Sequence, residues 1–142
     1  MADLHIDDFC RDTAKTLVML YNRFPQRTTV YVEDIAGPDQ PDEFGLHSPR
    51  FTAGFHALLW LAETDYIRFS DVIRQEAVED ATLTHRSLLF LSGPASFSPP
   101  AGPADHPLDT RIARIKDALA TRSSDYLRTL MLELMAASRN HN

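Results

Sequence analysis

The residues with the plainest chemical potential lie between positions 39 and 47, where Asp39, Asp42, Glu43 and His47 fall close together. Carboxylates beside an imidazole are the raw material of a cation site or an acid–base pair. An oxygen-rich metal site needs ligands that converge, and the two prolines and uneven spacing of Gly37 to His47 fit no standard metal loop. A solvated acidic loop is the simpler reading, so a small metal-dependent enzyme stands only as a second alternative, with no metal or cofactor expected. Asp7 with Asp12 and Glu33 with Asp34 are further carboxylate pairs, and a helix start or a surface accounts for them. None of the short motifs of serine hydrolases, zinc peptidases, P-loop proteins or dinucleotide-binding proteins occurs, which argues against an enzyme. Cys10 is the only cysteine, so no intrachain disulfide exists. Beside Phe9 in a helical pattern it reads as a small buried hydrophobe.

A second kind of chemistry is recognition without catalysis. Ala53, Gly54 and Ala57 fall on one side of a helical stretch, between Arg50 and Trp60, and small side chains there let another helix or backbone approach closely. The competing reading has the chain's own C-terminal helix on that face, or Trp60 in the core. The Pro-Pro-Ala-Gly-Pro run at 99–103 reads as a spacer before it reads as a polyproline ligand.

Charge constrains both kinds. The formal net charge is −6. Residues 33 to 80 hold eleven acids against three bases (Arg50, Arg68 and Arg74), whereas residues 93 to 142 hold six bases and five acids. The acidity therefore sits in the middle of the chain. The start, Met1 to Asp12, has acids where a secretory signal needs a basic end and an apolar run, and Leu58–Leu61 and Leu88–Leu91 are too short to span a bilayer. The expected location is cytoplasmic, with no membrane partner.

These residues need elements to position them. Ile6, Phe9, Cys10, Thr13, Leu17, Leu20, Tyr21 and Phe24 recur at helical steps and predict a helix over 4–23, stopped by Pro25. Residues 28–32 are β-branched and aromatic, and read as a strand. At most two helical turns follow before Gly37-Pro38. Ser48-Pro49 opens a helix to about 64 that buries Phe51, Phe55, Leu58, Leu59 and Ala62. Tyr66–Phe69 predicts a strand, residues 71–80 an exposed connection with room for a short helix, and residues 81–84 a returning strand. Thr84 caps a helix through Leu91. Residues 93–108, with five prolines and two glycines, read as a linker. From 109 to 142 a helical segment follows, divided near Ser123-Ser124-Asp125.

This order is similar to that of the winged helix-turn-helix superfamily. The resemblance rests on Leu58-Leu59-Trp60-Leu61-Ala62-Glu63-Thr64-Asp65-Tyr66-Ile67, which looks like the exit from a recognition helix. Leu83-Thr84-His85-Arg86-Ser87-Leu88-Leu89 looks like the return after the wing. It covers residues 28–91 and implies a mostly α, α+β fold. A winged-helix-like domain would occupy 1–92, with a small β-hairpin wing and an N-terminal helix, followed by the linker and the C-terminal helical segment. It also implies DNA binding, for which Arg50 and His56 on the helix and Arg74 at the wing are the candidates. Duplex DNA is nonetheless disfavoured, because phosphate neutralisation supplies much of such binding and the surrounding residues are acidic.

The function expected from the sequence is thus a non-enzymatic protein-interaction module with an unidentified protein partner, using Arg50, Ala53, Gly54, Ala57 and Trp60. A DNA-binding regulator is the alternative. Self-association is expected through the C-terminal line Ile112, Ile115, Leu119, Tyr126, Leu130 and Leu134, with packing on the first helix as the competing outcome.

Overall fold

Helix α1 (Leu4–Arg23) carries an acid in its first turn and Arg23 in its last, as the helix dipole favours. Its buried residues, Cys10, Asp12, Thr13, Ala14, Thr16, Leu17 and Leu20, are too many and too widely spread for a single stripe. The computed structural model, which describes residues 4–95, 109–121 and 123–139, shows why. Helices from both ends of the chain pack around α1, together with strands of the sheet. The polar groups this buries are answered locally: the Thr13 and Thr16 hydroxyls donate to the carbonyls of Phe9 (3.0 Å) and Asp12 (2.8 Å).

After α1 come β1 (Thr28–Tyr31), α2 (Val32–Ala36), α3 (Pro49–Glu63), β2 (Ile67–Arg68), β3 (Asp71–Ile73) and β4 (Ala77–Leu83). The chain then adds α4 (His85–Ser92), α5 (Arg111–Thr121) and α6 (Ser124–Ser138). The described residues are mostly helical, with a small antiparallel sheet in which β4 is central, in the order β1-β4-β2, and β3 also pairs with β4. Ile67 opposes Leu83, while Val78 opposes Val30 on one side and Val72 on the other.

The stretch 71–80 corrects the sequence reading, since it is a hairpin of β3 and β4 and not an open connection. Arg74 and Gln75 turn it with φ of 48° and 62°. Ala77 and Val78 are fully buried. The acids around them concealed the strand, as did a bulge: Asp80, at φ 56°, sits where the register of β1 against β4 shifts.

The C-terminal segment takes the second of its two expected courses and packs on the first helix. Ile112, Ile115, Ala118, Leu127 and Met131 belong to the same core cluster as Leu17, Leu20 and Leu58. Ile112 and Ile115 therefore face the chain's own interior, where their side chains are already covered. Leu119, Leu130 and Leu134 pack half-buried against that core, and Tyr126 alone of the six is exposed. The first residues of the expected linker are placed by backbone hydrogen bonds. Gly93 and Ala95 pair with the start of α5, through Arg111 N–H to the Gly93 carbonyl and Ala95 N–H to the Asp109 carbonyl, both 3.0 Å. Residues 96–108 lie outside the described residues.

If the tail belongs to the one core, truncating it there must cost as much as truncating the centre. Ile115→Ala is expected to lose about 2–5 kcal/mol, in the range expected for Leu58→Ala. Urea unfolding of both variants measures this, and a near-neutral Ile115→Ala would separate the tail from the core.

Candidate interaction groove along helix α3

Helix α3 is fixed first at its N-terminus. The Ser48 hydroxyl accepts from Phe51 N–H (3.2 Å), and Pro49 occupies the first turn. The preceding loop folds onto this cap. Asp39 accepts from Ser48 N–H (2.9 Å) and bonds His47 Nδ1 (2.5 Å), and the His47 ring stacks on Phe51 at 4.8 Å. Asp42 Oδ1 accepts from the N–H groups of Phe44 (2.8 Å) and Leu46 (3.0 Å), a side-chain turn. Asp39, Asp42 and His47 thus serve the loop's own geometry, and Glu43 is exposed. No group of three or more His, Cys, Asp or Glu side chains converges among the described residues.

In the first turn of α3, Arg50 meets α1. Its guanidinium donates two hydrogen bonds to the Asp12 carboxylate, at 2.8 and 2.6 Å, and its Nε lies 3.5 Å from Asp8. The Asp12 side chain is 1% exposed. Burial pushes its carboxyl above the ordinary value, and the bonds from Arg50 pull it back only in part. Arg50, a candidate for both partner and DNA contact, is therefore committed within the chain. Gly54 is also buried, and the reason is close approach: a Cβ there would meet the Ala36 Cβ at 2.7 Å and Val32 at 3.1 Å. Helix α2 occupies the small-residue site, so Gly54 is withdrawn as a partner contact.

What remains on the outer flank is Ala53 and His56, both exposed, with Ala57 buried at the foot and Trp60 half-buried. These four, with His5, Phe9 and Asp12 of α1, line a hollow of about 340 Å³. The edge of Phe9 meets Trp60 with ring centres 4.9 Å apart. Sequence reasoning missed His5 and Phe9, because which face of α1 lies beside α3 depends on packing over long separation.

The far end of α3 is set by a left-handed residue. Asp65, at φ 68°, donates its N–H to the Ala62 carbonyl (3.1 Å), and Tyr66 N–H reaches the Leu61 carbonyl (2.8 Å). This is a Schellman exit, with Asp65 in the position usually taken by glycine. It lays the Tyr66 ring on Trp60 at 5.9 Å, and the Thr84 hydroxyl secures the turn by donating to the Asp65 carbonyl (2.9 Å). Beyond Trp60 a second cleft, of about 530 Å³, opens between this exit, α4 and the end of α6. Trp60 is the wall common to both hollows.

Arg74 sits apart from this groove, exposed at the hairpin turn beside exposed Gln75 and Glu76. Cys10 is buried in α1, and burial pushes its thiol up to about 11, so it is no nucleophile at neutral pH.

Two measurements follow from this geometry. Arg50→Ala leaves the Asp12 carboxylate buried without its partner and should cost about 3–5 kcal/mol near neutral pH. An acid whose folded pKa is raised is most favourable below its unfolded value and loses ground as pH rises. The deficit against wild type should therefore narrow on acidification, which urea midpoints along a pH series record. For His47, the hydrogen bond to Asp39 raises the imidazole pKa above 6.5. The loop latch should hold fully below that value and weaken as pH rises through the folded one, and limited proteolysis within 39–47 should accelerate accordingly in wild type but not in His47→Gln. No family model, curated protein or solved structure matches this chain.

Proposed function

We propose that this chain is a non-enzymatic protein-interaction module on a winged-helix-like core, with the outer flank of α3 around Trp60 as its contact surface. The winged-helix reading draws support from the pairing of α2 with α3 across Gly54 and from the β3–β4 hairpin, which stands where a wing would. The interaction reading is carried by one observation. Ala53, His56, Ala57 and Trp60 border an apolar hollow, while the only cation of α3, Arg50, is bound to Asp12. A helix that reads base edges and phosphates needs free donors, and this one presents methyl groups, an imidazole and an indole. The hairpin adds Arg74 among Asp71, Glu76, Glu79 and Asp80, a poor collector of phosphate. Self-association through the tail would have to use Leu119, Tyr126, Leu130 and Leu134, since Ile112 and Ile115 are buried in the chain's own core.

The partner this surface fits is a protein segment with an apolar side chain for the hollow. Such contacts concentrate their free energy in a few anchors, aromatic ones above all. A photoreactive phenylalanine analogue at Ala53 or His56 should give a defined crosslinked protein in cells, and the same probe at Glu33 should not. Mixed duplex fragments at low salt should show no retardation at micromolar protein. Retardation that disappears in Arg74→Glu, together with no crosslink from α3, would reverse the assignment in favour of DNA.

A further inference from the structure

The larger cleft has a different character from the α3 flank. Trp60 and Tyr66 form one wall, with rings 5.9 Å apart and inclined by only 25°. Phe90, 4% exposed, reaches it from α4, and Met135 and Ala136 line it from α6. Its volume, about 530 Å³, falls within the range of small-molecule sites. The cationic groups meet near the end of α6, which Arg86 reaches from α4. Arg86 donates one bond to the Ser138 carbonyl (2.9 Å), which holds it beside Arg139, and both arginines line the cleft. One guanidinium carries five N–H donors, so most of the Arg86 fork is uncommitted to that carbonyl. Asp65 is the single carboxylate among the lining residues.

We propose that this cleft is a binding site for a small aromatic carboxylate, with its ring against Trp60 and Tyr66 and its carboxylate at Arg86 and Arg139. Charge decides the class of ligand. Two arginines against one aspartate leave a local excess of one positive charge, in a chain whose net charge is −6. That excess matches a monoanion. A cationic guest, which an aromatic wall alone would favour, meets two like charges here. A phosphate dianion exceeds the available positive charge. Guanidinium forks pair with carboxylates in two parallel bonds, which gives the site orientation as well as attraction. The proposal stands apart from the interaction reading, sharing only Trp60 with it.

Trp60 is the only tryptophan, so its fluorescence reports on the cleft in the intact protein. Phenylacetate and indole-3-acetate should bind saturably, by Trp60 emission for the first and by calorimetry for both. Phenylacetamide, equal in shape but neutral, should bind at least tenfold more weakly. Arg139→Gln should weaken phenylacetate by on the order of tenfold while leaving the melting temperature unchanged, and His56→Ala, in the neighbouring hollow, should leave binding intact. Equal affinity for acid and amide, no effect of Arg139→Gln, or loss of binding in His56→Ala would overturn the assignment. So would silence toward both acids by calorimetry up to millimolar concentration. Binding of AMP or of a C-terminal Gly-Gly-Phe peptide without phenylacetate would overturn it in favour of a nucleotide or a peptide terminus.

Discussion

A carboxylate in the middle of the longest helix has to be answered by a cation, and Arg50 answers it. The Asp12 side chain is almost wholly removed from water, a placement that costs several kcal/mol unless an opposite charge meets it with good hydrogen-bond geometry. The two bonds from Arg50 do so, with Asp8 as a weaker second partner. This one pair fixes the first turn of α3 against α1. It also removes the strongest donor from the helix face that a winged-helix DNA reader would use. Structure and function are constrained by the same two bonds.

The position of α1 follows the same logic. A helix with a narrow apolar stripe can lie on the outside of a domain, but α1 buries residues over much of its girth and needs cover on several sides. Helices α2 and α3 supply it on one side, β4 on another, and α5 with α6 on a third. The tail is thereby drawn into the core. Arg128 of α6 reinforces this by donating to Asp7 of α1 at 2.7 Å, an ion pair with both side chains mostly covered. Because α6 lies along α1, its end comes to rest against the exit of α3, and the larger cleft exists only through that arrangement. Its Tyr66 and Ser138 hydroxyls meet at 2.5 Å across the two segments.

How far the sequence discloses this depends on the range over which each feature is determined. Ser48 and Thr84 are legible as caps because capping is a matter of adjacent residues, and both accept from the N–H three positions on. The helix over 4–23, the break before Ser124 and the strand after Thr28 follow from local periodicity and appear as expected. The hairpin at 71–80 does not, because its pairing partner is distant and its solvent face is acidic. Gly54 shows the limit most clearly. A small residue on a helix signals a close approach, and the approach is real, but only the fold reveals that α2 makes it. The line from Ile112 to Leu134 was likewise visible as apolar, while its partner was not. Of the residues lining the candidate cleft, Trp60 is the one the sequence singles out. Arg86 and Arg139 were not, because they meet across more than fifty positions of chain.

The arrangement of charge is the last constraint and the one closest to function. Several arginines are tied to the chain itself: Arg50 to Asp12, Arg111 to the Phe90 carbonyl, Arg114 to Asp109 and Arg128 to Asp7. Each such pairing withdraws a cation from any polyanion, and the acids of the middle segment withdraw more. In the larger cleft two guanidinia, Arg86 and Arg139, meet at the end of α6 beside stacked aromatic rings. A phosphate backbone demands many cations in register, and this pair alone does not supply them. It can hold one negative group attached to one flat apolar body. The buried pair at Asp12 and the cleft at Arg86 thus express a single rule: in an acidic chain, cations act where geometry isolates them from competing carboxylates.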